Sequence, residues 1–402
     1  MRKFTYLLAA ATVCIATPAF AKVGDPIPLG GEITFDLQAN ARVRYETVDQ
    51  ANIASTADAL TARLRLGGEL KYKIVSVLVE GEGNLLLVDD FNDTIASNGV
   101  EPFPVVADPG NLELNRAQIS VMKDGTGVTL GRQRINLDNQ RFVGAVGWRQ
   151  NEQTFDAVRG QAKIGQFKLD ATYAQAQRTI FGNRSANEHF SGDLVLLNAA
   201  FDGARVDASV FSYLLDYDTR AAFSSATYGA LVLGNVPLGS VTLNGTASYA
   251  TQSDYGANPG NYSVDYLALE VGAATHGLSL GAGYELLGSD GGRAAFQTPL
   301  ATMHAFNGWA DLFLTTPAAG LEDYYVKAGY TPASPPVPGL SFAAAWHSYN
   351  ADFGSADYGT EWNASIAARL GPIATMVKFA DYQADGFGTD KRIMWLQAEY
   401  SF

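Results

Sequence analysis

Residues 32–46 read EITFDLQANARVRYE, and they alternate almost without a fault. Ile33, Phe35, Leu37, Ala39, Ala41, Val43 and Tyr45 fall on one face. Glu32, Thr34, Asp36, Gln38, Asn40, Arg42, Arg44 and Glu46 fall on the other. A period of two is the β-strand period, because successive side chains leave opposite faces. The run is about twice as long as the 5–6 residues usual for a soluble strand. Strict alternation over roughly ten or more residues is what a tilted strand needs to cross a membrane, one face in lipid and one in water.

The pattern recurs along the chain. Leu60, Ala62, Leu64, Leu66, Leu70, Tyr72 and Ile74 stand against Thr61, Arg63, Arg65, Glu69, Lys71 and Lys73. Further segments follow near 75–88, 112–123, 126–134, 153–164, 166–176, 191–201 and 204–216. They continue near 222–235, 240–252, 261–274, 277–288, 320–331, 339–350, 357–369, 372–383 and 389–402. The total is about 18, an even number, as single-chain bacterial outer-membrane barrels require. Connections alternate between tight (Asp124-Gly125, Ile164-Gly165, Asp202-Gly203, His276-Gly277, Gly371-Pro372) and long and polar (89–111, 135–152, 177–190, 289–319). Tight periplasmic turns opposite long extracellular loops are a barrel signature. The expected fold is all-β: an antiparallel transmembrane barrel with a water-filled lumen narrowed by infolded loops.

Residues 1–21, MRKFTYLLAAATVCIATPAFA, read as a secretory signal peptide: Arg2 and Lys3, an apolar middle, and Ala19-Phe20-Ala21 before the cut. That leaves 22–402 as a single barrel domain. The sole cysteine, Cys14, falls in the leader, so the mature chain has no thiol for disulfides or thiolate metal sites. Loss of Arg2 and Lys3 takes the formal charge from -13 to -15. The last strand, KRIMWLQAEYSF, ends in Phe402, which fits the terminal aromatic read by the outer-membrane assembly machinery.

Magnitude sets the direction of the charges. A Lys or Arg facing lipid near mid-membrane costs about 2–4 kcal/mol, and a lumen position costs little. Arg42, Arg44, Arg63 and Arg65 turned outward would together rival the ~5–15 kcal/mol stability of many proteins, so they face inward. Whether the lumen basics form a continuous track or pair locally with Glu69, Glu80, Glu82 and Asp170 stays open at this level. Residues 135–152, with Arg141, Trp148 and Arg149, and residues 296–315, with Phe306, Trp309 and Phe313, are the candidates for infolding. Their aromatics could stack on sugar rings or pack the loop against the wall.

Other classes fit poorly. The four histidines (His189, His276, His304, His347) show no Ser-His-acid pattern and no metal-ligand spacing, so neither enzyme chemistry nor a cofactor is expected. Nucleic-acid binding is excluded by the acidic total and inward basics. A plugged 22-stranded transporter needs a longer chain. A non-conducting structural barrel remains a reading of a different class.

LGRQRINLDNQRFVGAVGWRQNEQTFDAVR, residues 130–159, resembles the alginate-export family of outer-membrane porins, in which a strand ending G-R-Q leads into an Arg- and Trp-containing loop and then F-D-A-V-R. FQTPLATMHAFNGWAD and KFADYQADGFGTDKRIMWLQAEYSF are similar to that family too. The resemblance implies a monomeric 18-stranded barrel with an arginine-lined constriction that passes a polyuronate. It makes Arg132, Arg134 and Arg149 constriction residues, with Arg159 beside them. Guanidinium groups suit carboxylates because their planar fork pairs bidentately. The expected partners are an anionic carbohydrate or organic-acid solute and, outside, outer-membrane lipids and lipopolysaccharide. An uptake porin for small organic acids or oligosaccharides is the nearest alternative.

Overall fold

The computed structural model describes residues 24–96, 99 and 102–402. The leader expected at 1–21, with Cys14, lies outside them. Eighteen long strands, from Ile33–Gln50 to Lys391–Ser401, each pair antiparallel with the next. The last pairs with the first, Ser401 opposite Asn40 and Lys391 opposite Gln50, so the sheet closes. A barrel has no free edge, which is why backbone N–H and C=O groups can sit in lipid at all. Every expected strand is present, with ends shifted by a few residues. One element was not anticipated: a short strand, Ile27–Gly30, folds back on Ile33–Phe35. Four residues carry too little alternation to read.

The tight end is built from turns such as Asp124-Gly125 and His276-Gly277. Both residues of each pair have positive φ (53° and 80°; 47° and 83°). A two-residue I′ loop demands that, since its twist matches the strands it joins.

Inside and outside follow the sequence parity. Val43 and Leu64 are 46% exposed, whereas their neighbours Arg44 and Arg63 are 1% and 2% exposed. Exposed aromatics ring the outer surface at two levels: Tyr72, Phe167, Tyr330 and Phe342 toward the tight turns, and Tyr173, Tyr249, Tyr324 and Trp362 toward the long loops. Such girdles mark the two membrane interfaces.

The lumen is filled from the long-loop end. Segments 134–153 and 288–320 fold inward, joined by a bridge between Val143 and Leu300 and by Gly144 N–H to the Leu300 carbonyl at 2.8 Å. Residues 91–96 and 102–110 also turn in, burying Phe91, Ile95, Val106 and Asp108. Phe142 at the centre packs against Phe211 (4.7 Å), Tyr266 (5.1 Å) and Phe296 (6.0 Å). Ile135, Leu137 and Val143 are buried around it. A loop in the lumen also carries backbone polar groups, and these need polar contacts of their own.

Candidate functional site

Those polar contacts come from the wall arginines. Arg42 Nη1 donates to the carbonyls of Gly147, Trp148 and Arg149 at 3.2, 2.9 and 3.2 Å. Arg44 Nη2 donates to the Trp148 carbonyl at 2.6 Å, and its guanidinium lies 4.0 Å from the Trp148 ring centroid. Arg65 Nη2 reaches the Gln150 carbonyl at 3.1 Å. A loop inside a barrel has no ladder to join, so its carbonyls need donors from elsewhere. The alternating strands Ile33–Gln50 and Ala57–Tyr72 supply them in a row.

The same arginines meet carboxylates. Arg42 and Arg63 share Glu399 (2.9 and 3.4 Å). Arg65 pairs with Glu82 and, at 3.0 Å, with Glu152. Glu152 also takes Arg134 through both oxygens, at 2.9 and 2.5 Å. Arg116 pairs with Glu80 at 2.6 Å, and Arg159 with Asp170 at 2.6 Å. These lumen arginines are thus locally paired. Burial alone would raise the Glu152 carboxyl, yet Arg65 and Arg134 hold it below its usual range.

A second knot joins both loops to the wall. His304, in segment 288–320, stacks on Trp148 of segment 134–153 with centroids 4.2 Å apart and planes at 6°. Its Nδ1 is 2.9 Å from Asp311 and its Nε2 is 2.6 Å from Lys378 Nζ. Lys378, on strand Ile373–Ala384, sits 4.1 Å from the Trp148 centroid and 3.8 Å from that of Trp309. Since an ammonium can only donate, His304 Nε2 accepts and Nδ1–H donates to Asp311, which describes a neutral imidazole. Burial pushes its pKa down to about 3 despite Asp311 beside it. Burial would raise Asp311, but His304 and Arg149 hold it well below the carboxylate range.

Arg149 bridges Glu46 at 3.2 Å and Asp311 at 2.9 Å. Arg141 bridges Glu285 at 2.6 Å, Thr298 at 3.1 Å and Asn307 at 3.0 Å. Loop backbone closes the set: Trp309 and Ala310 N–H donate to Glu361 Oε1 at 2.5 and 2.9 Å. Phe313 packs on Tyr349, Tyr358 and Phe387, so it serves the loop against the wall.

Open cavities lie on the tight-turn side of the loops, and two of them carry basic residues. One of about 450 Å³ is lined by Arg65, Arg116 and Arg134 with Gln38, Asn40 and Glu152. The other, of about 540 Å³, holds Arg159, Lys163 and Lys168 among Asp138, Asp170 and Asp202. Arg134 has the most open side chain of the paired lumen arginines, at 32%.

The structure therefore gathers Arg42, Arg44, Arg63, Arg65, Arg134, Arg149 and Trp148 in one network, with Trp309 and Arg141 tied in through the second loop. Arg159 faces the other cavity. Arg132 is placed differently from the expectation. It shares parity with Val128 and Leu130, which are 49% and 53% exposed, and opposes Thr129 and Gln133, at 7% and 2%. Its ladder partner Asp156 alternates in the same way with Phe155 and Ala157, which are buried inside. Arg132 thus leaves the wall on the outer face. The G-R-Q motif placed it next to Arg134, but adjacent strand residues leave opposite sides, and the chain only turns inward after Gln133.

The sequence profile for alginate export matches residues 34–257, more than half of the chain. The chain belongs to the alginate-export family. Among solved structures the fold is similar to OccK9 (OpdG) of Pseudomonas aeruginosa (TM-score 0.73, 16% identity, 92% of this chain and 98% of that one). It is also similar to Pseudomonas aeruginosa OpdK with vanillate (0.71, 14%, 91% and 98%). A third is Acinetobacter baumannii OccAB4 (0.72, 13%, 92% and 98%). No curated protein matches in sequence. Family and fold are those of outer-membrane porin channels and not of enzymes. The tight turns of this alginate-export-family barrel therefore face the periplasm.

Sequence reasoning missed the anchors Glu46, Asp108, Glu361 and Lys378. Each sits at a lumen position of a strand or in segment 102–110, and no local signal distinguishes an anchor from any other polar lumen residue. The apolar run around Phe103, Val105 and Val106 was the available sign that 102–110 also folds inward.

Proposed function

We propose that this channel passes carboxylate-bearing solutes, and that Arg65, Arg116 and Arg134 are their contact residues. The observation that carries the reading is their convergence on one open cavity, with Arg134 the most accessible. A solute carboxylate would compete with Glu152 for Arg134, an exchange between equivalent partners that leaves binding weak enough for release. Lumen water screens these contacts beyond about 8–10 Å. Arg42, Arg44, Arg63, Arg149 and Trp148 hold the constriction in shape, and Arg159 with Lys163 and Lys168 offers a second basic wall. One closed chain forms one channel in this reading.

The family name points to a polyuronate moving outward. A second reading, uptake of small organic acids, is favoured by the filled lumen, by cavities in the ~300–1,000 Å³ range of small-ligand sites, and by the likeness to OpdK with vanillate. Single-channel recording separates the two. Polyuronate added to one side is expected to interrupt the current if a polymer threads the pore. Interruption by small monocarboxylates alone, with no response to polyuronate, selects the second reading. Indifference to both overturns the carboxylate assignment.

A further inference from the structure

Arg132 is not alone on the outer face. Its Nε and Nη2 grip Asp156 at 2.7 and 3.1 Å, and its Nη1 donates to the Leu114 carbonyl at 2.9 Å. Asp156 is shared at 3.5 Å with Arg178, whose Nη1 also holds Glu188. Arg178 stands opposite Thr154 and His189 and shares this outward parity, since Gln177 and Phe190 beside it are buried inside. Among the described residues, Arg178 Nη2 has no protein acceptor. Above the pair, Asn183 and Arg184 reach across to the carbonyls of Leu112 and Gly110 at 2.7 and 3.0 Å. They cover the gap left because strand Thr126–Gln133 is only 8 residues long.

The height of this cluster is fixed by its neighbours. Val158 pairs with Tyr173, an exposed girdle residue whose hydroxyl donates to Asp193 at 2.5 Å. Asp156 lies one same-face step farther toward the extracellular end. An outward arginine costs about 2–4 kcal/mol at the midplane but only about 0–1 kcal/mol near an interface. Just beyond the aromatic girdle is the headgroup zone, so the cluster sits where lipid phosphates sit.

We propose that Arg132 and Arg178, with Arg184 above them, form a docking site for the phosphate groups of outer-leaflet lipopolysaccharide. Asp156 and Glu188 hold the two guanidinium groups at the wall, with their side chains 17% and 21% exposed, and Arg178 Nη2 is left for a phosphate. Guanidinium recognises phosphate bidentately. This inference does not rest on the solute reading, because the site is on the other side of the wall.

The test uses the purified full barrel in detergent, with native mass spectrometry and thermal unfolding. Bisphosphorylated lipid A is expected to bind and raise the unfolding temperature, and dephosphorylated lipid A or inorganic phosphate to do so far less. Arg178→Gln leaves the Arg132–Asp156 pair intact and is expected to weaken lipid A binding roughly tenfold, the worth of one charge-assisted contact. Arg132→Gln should weaken it as well while leaving bilayer ion selectivity unchanged. Equal binding of the dephosphorylated lipid overturns the site without needing any variant. Unaltered binding by Arg178→Gln, or a selectivity shift in Arg132→Gln, overturns it too, the latter by returning Arg132 to the pore.

Discussion

His304 lies flat on Trp148, 4.2 Å between ring centroids, while Lys378 Nζ caps the histidine at 2.6 Å. One ring comes from each infolded loop and the lysine from the barrel wall, so three separate parts of the chain meet at one stack. Trp148→Ala removes the shared platform and is expected to cost less than the ~3–5 kcal/mol of a fully buried aromatic cut to alanine, because Trp148 is partly buried. The loops would then move, giving a lower unfolding temperature and larger, noisier channel openings. Unchanged conductance together with an unchanged melt would mean that the loops are held elsewhere.

Acid should loosen the same knot. The folded pKa of His304 is depressed to about 3 against an ordinary value of 6.5. Below pH 6.5 the unfolded chain takes up a proton that the folded one refuses, so stability falls as pH drops from about 6.5 toward 3. The Asp311 carboxylate stays charged throughout most of that window. Thermal melts across pH 7 to 4 check this, and His304→Gln is expected to flatten the profile. A wild-type melt that stays level over the range would contradict the neutral, buried histidine.

Glu361 is expected to be the anchor of the second loop, because its Oε1 accepts two successive backbone N–H groups, from Trp309 and Ala310. Glu361→Gln keeps the shape but replaces one carboxyl oxygen by an NH2 group, so the Trp309 and Ala310 N–H groups and the Tyr349 hydroxyl share a single acceptor. Limited proteolysis should then cut within 296–315 while the barrel stays intact. Equal protection of that segment in both proteins would remove Glu361 from this role.

Much of this was legible because β-barrels write their architecture locally. The alternation at 32–46 places Val43 in lipid and Arg44 in the lumen from parity alone, and the sign of the charges decides which face is which. What parity cannot give is long-range. Glu399 lies 357 positions from Arg42 yet pairs with it, since closure brings the last strand beside the first. Segments 134–153 and 288–320 were recognisable as infolding from their arginines and aromatics. Their partners were not, because loop contacts follow no period. Arg132 shows the cost of reading a motif without its parity.

Phe402 closes the seam, exchanging two 3.0 Å backbone bonds with Ala39. Deleting it is expected to lower the yield of folded, heat-modifiable barrel in the outer membrane severalfold, while refolding in detergent from purified chain suffers less. Equal losses in both settings would reduce Phe402 to a structural role, without any part in recognition by the assembly machinery.

Arg134 and its neighbours are expected to give the lumen a preference for anions. Reversal potentials in planar bilayers under a salt gradient measure that preference directly. The wild-type barrel is expected to be anion-selective. Arg134→Gln, which leaves Glu152 its pairing with Arg65, should move the reversal potential toward cation preference. A cation-selective wild type, or a reversal potential that Arg134→Gln leaves in place, would contradict the account.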